Sequence, residues 1–356
     1  MSVLLSRPGA VEATGPDAGV ASHYGNPSKE QRLLAEGLAV VDLSHRGVVT
    51  VTGPDRLSWL HSLTTQHLLG LAPRTSVETL VLSPKGHVEH ALHLVDDGET
   101  TWLTTEPGAA PAVAGWLDSM RFMLRVEVAD VTGAYAVLGE PVGAESVPGE
   151  PVAWVDPWPQ EVGDTFAYGP PEAEHPAHGR TWRELIVPRD QLAEAVGDRP
   201  LAGTWAAEAL RVAAWRPRAG VDTDHRTIPH ELDWLRTAVH LQKGCYRGQE
   251  TVARVKNLGR PPRRVVFLHL DGSGHVLPEP GTELVPLGGG RAVGTLTSVA
   301  RHAEDGPVGL GVVRYATDPE AVLLAGDVSA AQTPVIAPEK PVRRERPSAP
   351  RPSGAR

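Results

Sequence analysis

From Arg264 onward the chain stops alternating between helical and extended patterns. RVVFLHLDG, TELVPLGGG, RAVGTLTSVA and PVGLGVVRY follow one another as short apolar segments divided by glycine-rich turns, with no helical period between them. Such a run predicts a small all-β barrel or sandwich over residues 259–336, set behind an α+β body. The boundary falls at Gly259–Arg263.

Upstream the patterns are mixed. SKEQRLLAEGLAVVDLS begins as a helix, with Ser28 as the expected N-cap, and passes Gly37 into a strand. PDRLSWLHSLTTQHL opens at Pro54 and sets Leu57, Leu60 and Leu63 on one helical face. ETLVL, HVEHALHLV and TTWLTT, separated by SPKG and DDGE, predict a three-stranded meander. PGAAPAVAGWLDSMRFML reads as a helix, VEVADVT and AYAVLG as strands. A proline-rich interval over 143–180 has little pattern, and GTWAAEALRVAAW is a helix capped by Thr204 and stopped by Pro217. Residues 1–22 are expected to be a flexible arm, 23–258 the α+β region, and 337–356 a disordered basic tail.

Composition narrows the chemistry. With 41% hydrophobic residues in 356, the chain has enough apolar content for two or three cores. A single cysteine, Cys245, excludes an internal disulfide and any zinc or iron–sulfur site built from several cysteines of this chain. The N-terminus lacks the apolar core of a signal peptide, and no run is long enough to span a bilayer, so a cytoplasmic location and no membrane partner are expected. A formal charge of −9 argues against direct nucleic-acid binding.

The charge is nevertheless uneven. Between Lys243 and Arg264 seven basic residues face one acid, Glu250. Either an anionic ligand is held there, or these cations pair with carboxylates from elsewhere in the fold. Within the run, KGCYRGQE sets Gly244 and Gly248 on either side of Cys245 and flanks the thiol with Lys243 and Arg247. Glycines permit unusual backbone and close ligand approach, and a neighbouring cation favours the thiolate. Gln249 and Glu250 add groups able to read a heterocycle edge. Upstream, GVDTDHRTIPHEL offers Asp222, Asp224 and Glu231 from a polar loop, suited to ligand recognition or to turn capping. In HVEHALH, a strand turns His87, Glu89 and His93 to one side and His90 to the other, so no metal site is expected.

These segments resemble the YgfZ family of folate-binding proteins, relatives of the glycine-cleavage T-protein. KGCYRGQETVARVKNLG and GVDTDHRTIPHEL carry the specific likeness, VVDLSHRGVVTVTGPDRLSWLHSLTTQ and VGTLTSVARHAEDGPVGLGVVRY the one shared with T-proteins. The resemblance implies an α+β, T-protein-like three-part fold around a central folate opening, closed by the C-terminal β-barrel. It implies tetrahydrofolate or a derivative as cofactor, and iron–sulfur enzymes or assembly proteins, including those that thiolate transfer RNA, as partners. Lys243 and Cys245 become the functional candidates, with Asp222, Glu231, Tyr246, Arg247, Gly248, Gln249, Glu250, Arg254 and Glu89 around the folate. A folate-dependent aminomethyl transferase is the alternative activity. Against it, KGHVEHAL carries Glu89 and His90 where T-proteins have their catalytic aspartate run, and Ala213 stands where they commonly have a glutamate.

Overall fold

The computed structural model describes residues 1–338, so the basic tail expected over 337–356 lies almost wholly outside the described residues. Residues 1–22, expected as a loose arm, are packed instead. Ser2 caps a 3-10 turn over Val3–Ser6, and strands β1 (Val11–Glu12) and β2 (Ala21–His23) pair. Leu4 and Val20 are buried, and burial of these side chains is what holds the segment down.

Helix α1 (Pro27–Ala35) starts one residue before the expected cap. Asn26 accepts from the Lys29 N–H and Pro27 takes the first helical position, where its missing N–H costs nothing. Strands β3 (Val40–Asp42) and β4 (Gly47–Thr52), helix α2 (Arg56–Leu63) and the meander β5 (Ser76–Leu82), β6 (Val88–Asp96) and β7 (Thr100–Thr105) follow. Helix α3 (Ala110–Ser119) ends before the apolar Phe122 and Met123, which are exposed in the loop leading to β8 (Glu127–Asp130) and β9 (Tyr135–Glu140). The poorly patterned interval holds β10 (Val152–Val155), and then come β11 (Arg183–Pro188), a short helix α4 (Leu192–Val196) and β12 (Leu201–Ala202). Helix α5 (Thr204–Ala213) has Gly203 at its cap, not Thr204. After α6 (Leu235–Ala238), the motif segment forms a helix, α7 (Gln249–Leu258), which the sequence patterns did not suggest.

The strands sort into two five-stranded sheets in which the chain interleaves. One runs β5-β6-β7-β4-β8, the other β10-β11-β9-β3-β12, with β12 parallel to β3 and the remaining pairs antiparallel. Gly259, left-handed at φ 75°, ends α7 and leads into six strands, β13 (Arg263–Leu270), β14 (Glu283–Pro286), β15 (Gly294–His302), β16 (Gly306–Arg314), β17 (Leu323–Ala325) and β18 (Val328–Pro334). They close into a barrel in the order β13-β16-β15-β14-β17-β18, removing every edge.

Register decides which side chains meet. Across the first sheet Glu78, His93 and Thr104 are successive Cα partners and share a face. Leu92 and Leu94 point to the opposite face and pack with Trp59, Val113 and Leu117 beneath α2 and α3. In the second sheet Trp154 is the partner of Glu184. A core that includes Leu80, Leu232, Trp234, Tyr246, Val252, Phe267 and Leu310 joins both body and barrel.

His230 lies in this junction fully buried, its Nε2–H donating to the Val252 carbonyl at 3.0 Å. Burial pushes its pKa down to about 4. On unfolding, the imidazole returns to its ordinary value near 6.5, so the unfolded chain binds a proton that the folded chain refuses between those values. Stability should therefore fall as pH drops through this window, by about 2 kcal/mol at pH 5 from this residue alone. Urea unfolding at pH 7 and pH 5 checks it: His230→Gln should reduce the difference by about 2 kcal/mol, and an unchanged difference would refute the assignment.

Candidate functional site

A cavity of about 490 Å³ opens between the two sheets, α5 and the segment that follows it. Its walls are the two rows of side chains set by register. His93 lies flat against Trp154, with ring centroids 3.6 Å apart and planes 4° from parallel, so the sheets meet through stacked rings. Glu184 binds across the same gap, accepting from Arg46 at 2.8 Å, from His93 at 2.9 Å and from Thr104 at 3.2 Å. Burial alone would raise its pKa, but Arg46 and then His93 outweigh it and hold the carboxyl well below the usual range.

Three arginines supplied by α5 and its exit dominate the remaining wall. Arg211 contacts Asp222 and Glu208, both at 2.8 Å. Arg216 contacts Glu78 at 2.8 Å and Asp156 at 3.1 Å, the latter also held by Arg180 at 2.8 Å. Arg218 contacts Asp17 and Glu106, each at 2.8 Å, so the N-terminal segment contributes a carboxylate to the cavity. Asp156 and Glu106 are held ionised against burial by these guanidiniums. Among the groups lining the cavity, seven carboxylates face five arginines, so the enclosed field is on balance acidic. Ala213, noted in the sequence for the glutamate it replaces, also lines the cavity.

The motif residues are placed elsewhere. Lys243 is buried, and its ammonium donates to the carbonyls of His61 and Thr64 at the end of α2. Burial pushes its pKa down to about 7. The ring of His61 reciprocates: Nε2–H donates to the Lys243 carbonyl at 3.0 Å while Nδ1 accepts from the Leu68 N–H at 3.1 Å. Only a neutral imidazole satisfies both, and burial followed by the Lys243 charge lowers its pKa accordingly. Lys243 and His61 thus clasp the motif to α2. Arg247 pairs with Glu89 at 3.0 Å over the Trp116 ring, and Cys245 is exposed. The expectation that both cations serve the thiol gives way to this arrangement, in which each is bound by another group.

The other candidates scatter. Asp222 is buried and ties α5 to the barrel, accepting from Arg211 and from the hydroxyls of Thr297 and Ser298 at 2.5 and 2.7 Å. Glu231 and Asp224 clamp Arg263, each at 2.7 Å. Tyr246 is in the junction core, 5.3 Å from the Lys243 ammonium, and Gln249, Glu250 and Arg254 belong to α7. None of the eleven candidates lines the cavity. Its actual walls come partly from the proline-rich interval, whose Trp154, Asp156 and Arg180 carry no periodic signal; the RPRAG run after α5 was the legible clue. No group of three or more His, Cys, Asp or Glu among the described residues is placed to hold a metal.

Residues 20–139 match the family model described as the GCVT N-terminal domain. A chloroplastic Arabidopsis thaliana protein named as a transferase is 26% identical over 91% of this chain and 77% of its own length. An aminomethyltransferase of Chromobacterium violaceum is 26% identical over 79% of this chain and 80% of its own. The crystal structure of the glycine cleavage system aminomethyltransferase T from Bartonella henselae superposes with a TM-score of 0.72 at 19% identity, covering 93% of this chain and 94% of that one. The fold is thus that of the T-protein, and residues 20–139 of it carry the match to the GCVT N-terminal domain. No helix among the described residues is long and apolar enough to cross a membrane.

Gly248, at φ 85°, opens α7 against the β5–β6 turn, where an added Cβ would lie 2.7 Å from the Ser83 carbonyl oxygen and 2.9 Å from the Gly86 Cα. Gly244, at φ 96°, has open space around it. Gly244→Ala should cost about 1 kcal/mol, the left-handed penalty alone. Gly248→Ala should cost about 3 kcal/mol, because backbone must also separate. Chemical unfolding distinguishes them, and equal costs would mean that the turn does not dock as described.

Proposed function

We propose that this chain binds tetrahydrofolate or a derivative in the central cavity, and that it acts as a folate-binding protein supporting iron–sulfur enzymes or their assembly, with Cys245 as the reactive group. The observation that carries the ligand reading is the cavity at the centre of a T-protein fold with carboxylates in excess of arginines. A reduced pterin offers an edge crowded with N–H donors and a flat face. Among the wall carboxylates Glu106 and Glu208 keep some exposure and suit the donors, whereas Glu78 and Glu184 are committed to their own, and the His93–Trp154 stack supplies a flat wall. The anionic glutamate tail of a folate fits the acidic interior poorly, so it belongs at the mouth of the cavity. When bound, the cofactor would carry one-carbon groups; the chain's own residues bind, orient and desolvate it.

The iron–sulfur role rests on the likeness of KGCYRGQE to the YgfZ motif, and is supported by the exposure of the thiol. Aminomethyl transfer is the second reading, favoured by the fold and by the aminomethyltransferase relative. Opposing it, Glu89, at the position of the family's catalytic aspartate run, is held by Arg247.

Calorimetry with 5-formyl-tetrahydrofolate tests the ligand reading. Saturable binding is expected, weakened by about tenfold or more in Ala213→Trp, which fills the cavity without changing its charge. No heat with the native chain, or equal affinity in the variant, would overturn it. Incubation of the folate-loaded protein with an aminomethyl-loaded carrier separates the two activities, since only a transferase forms methylene-tetrahydrofolate.

A further inference from the structure

The seven cations between Lys243 and Arg264 separate sharply once folded. Lys243 is inside the α2 clasp, Arg247 is on Glu89, Arg263 is on Asp224 and Glu231, and Arg264 donates to the carbonyls of Tyr315 and Thr317. Arg254, Lys256 and Arg260 are left. Among the described residues none of these three side chains meets a carboxylate or a hydrogen-bond acceptor, although most of the described arginines are ion-paired. Lys85 is also exposed and unpaired, on the turn whose Gly86 packs against Thr251 of α7. Leu258, four residues after Arg254, is 68% exposed on the same helical face. Ala253 and Asn257, next to them on the helix, are exposed and short, leaving that side low.

We propose that the outer face of α7 and the turn beyond it form a docking surface for a partner protein that presents acidic residues around an apolar pocket, seated so that Cys245 lies at the edge of the contact. Charge complementarity selects the partner. The exposed, unpaired cations Lys85, Arg254 and Arg260, with half-buried Lys256 beside them, against the one carboxylate of Glu250 give a local positive field on a chain of net charge −9, which steers an acidic surface to this face. Leu258 gives the contact an apolar anchor, which a phosphate backbone would not use. Helix α7 spans ten residues, about 15 Å, enough for a short segment of the partner. Cys245 lies four residues before Gln249, where the helix begins, so a partner group bound along α7 is brought to an exposed thiol. The inference uses no property of the cavity, so failure of the folate experiment leaves it standing.

The test is fluorescence anisotropy of a short fluorescein-labelled Glu/Asp-rich peptide with a central leucine, titrated with the full chain. Saturable binding that weakens with salt is expected. Combined Arg254→Glu, Lys256→Glu and Arg260→Glu should lower affinity by about tenfold or more. The control, Lys29→Glu with Arg32→Glu and Arg291→Glu, makes the same charge change at other exposed, unpaired cations and should shift it by less than about twofold. All substitutions except that of half-buried Lys256 are at exposed positions; Arg254→Glu with Arg260→Glu alone should still weaken binding, and circular dichroism confirms folding. Equal losses in the two variants, no binding to the native chain, or tighter binding of a single-stranded oligonucleotide of equal charge would each overturn the proposal.

Discussion

Three guanidiniums, Arg211, Arg216 and Arg218, leave α5 close together, and each is held by carboxylates from different parts of the molecule. Arg211 reaches Asp222, which is bonded to the barrel through Ser298; Arg216 joins Glu78 of the first sheet to Asp156 beyond β10; Arg218 joins Glu106 to Asp17 of the N-terminal segment. Removing such charges from water is costly, and the pairs are tolerable only when geometry is matched on both sides. Losing one partner would leave a buried charge uncompensated, typically about 3–5 kcal/mol. The network therefore fixes how far apart the parts stand, and the cavity exists because its walls are joined by polar bridges where apolar side chains would have collapsed the space.

Strand β6 links this cavity to the motif. Its Ala91 and His93 face the cavity, while Glu89, at the point where the β5–β6 register shifts, meets Arg247 over Trp116 of α3. The motif is anchored at two more points, by the Lys243–His61 clasp and by the close packing of Gly248 on the β5–β6 turn. KGCYRGQE is thereby rigid on its inner side and open at Cys245. The cavity and the thiol are separate places on one framework, joined by a strand and not by direct contact of the candidate residues with the cavity.

Much of the fold was legible. Glycine-punctuated apolar segments after Arg264 gave a barrel, because short apolar runs between turn residues leave a direct trace in sequence, and SPKG and DDGE marked the meander that became β5–β7. Helix α7 was hidden by the glycines and arginines of its neighbourhood, with only Val252 buried to signal a face. The N-terminal segment was misread because Leu4, Val20 and Asp17 are isolated positions whose burial depends on distant surfaces.

By itself the sequence determined the meander, the switch to an all-β end and the single thiol, since those follow from periodicity and count. It also presented a dense basic run without saying which charges were spoken for. Only the tertiary structure decided that Lys243, Arg247, Arg263 and Arg264 are committed and Arg254, Lys256 and Arg260 are free. It alone assembled the cavity from Asp17, Glu78, Trp154, Glu184 and Arg216. Ion pairs and stacked rings join residues far apart in the chain, and no local period records which carboxylate will meet which arginine.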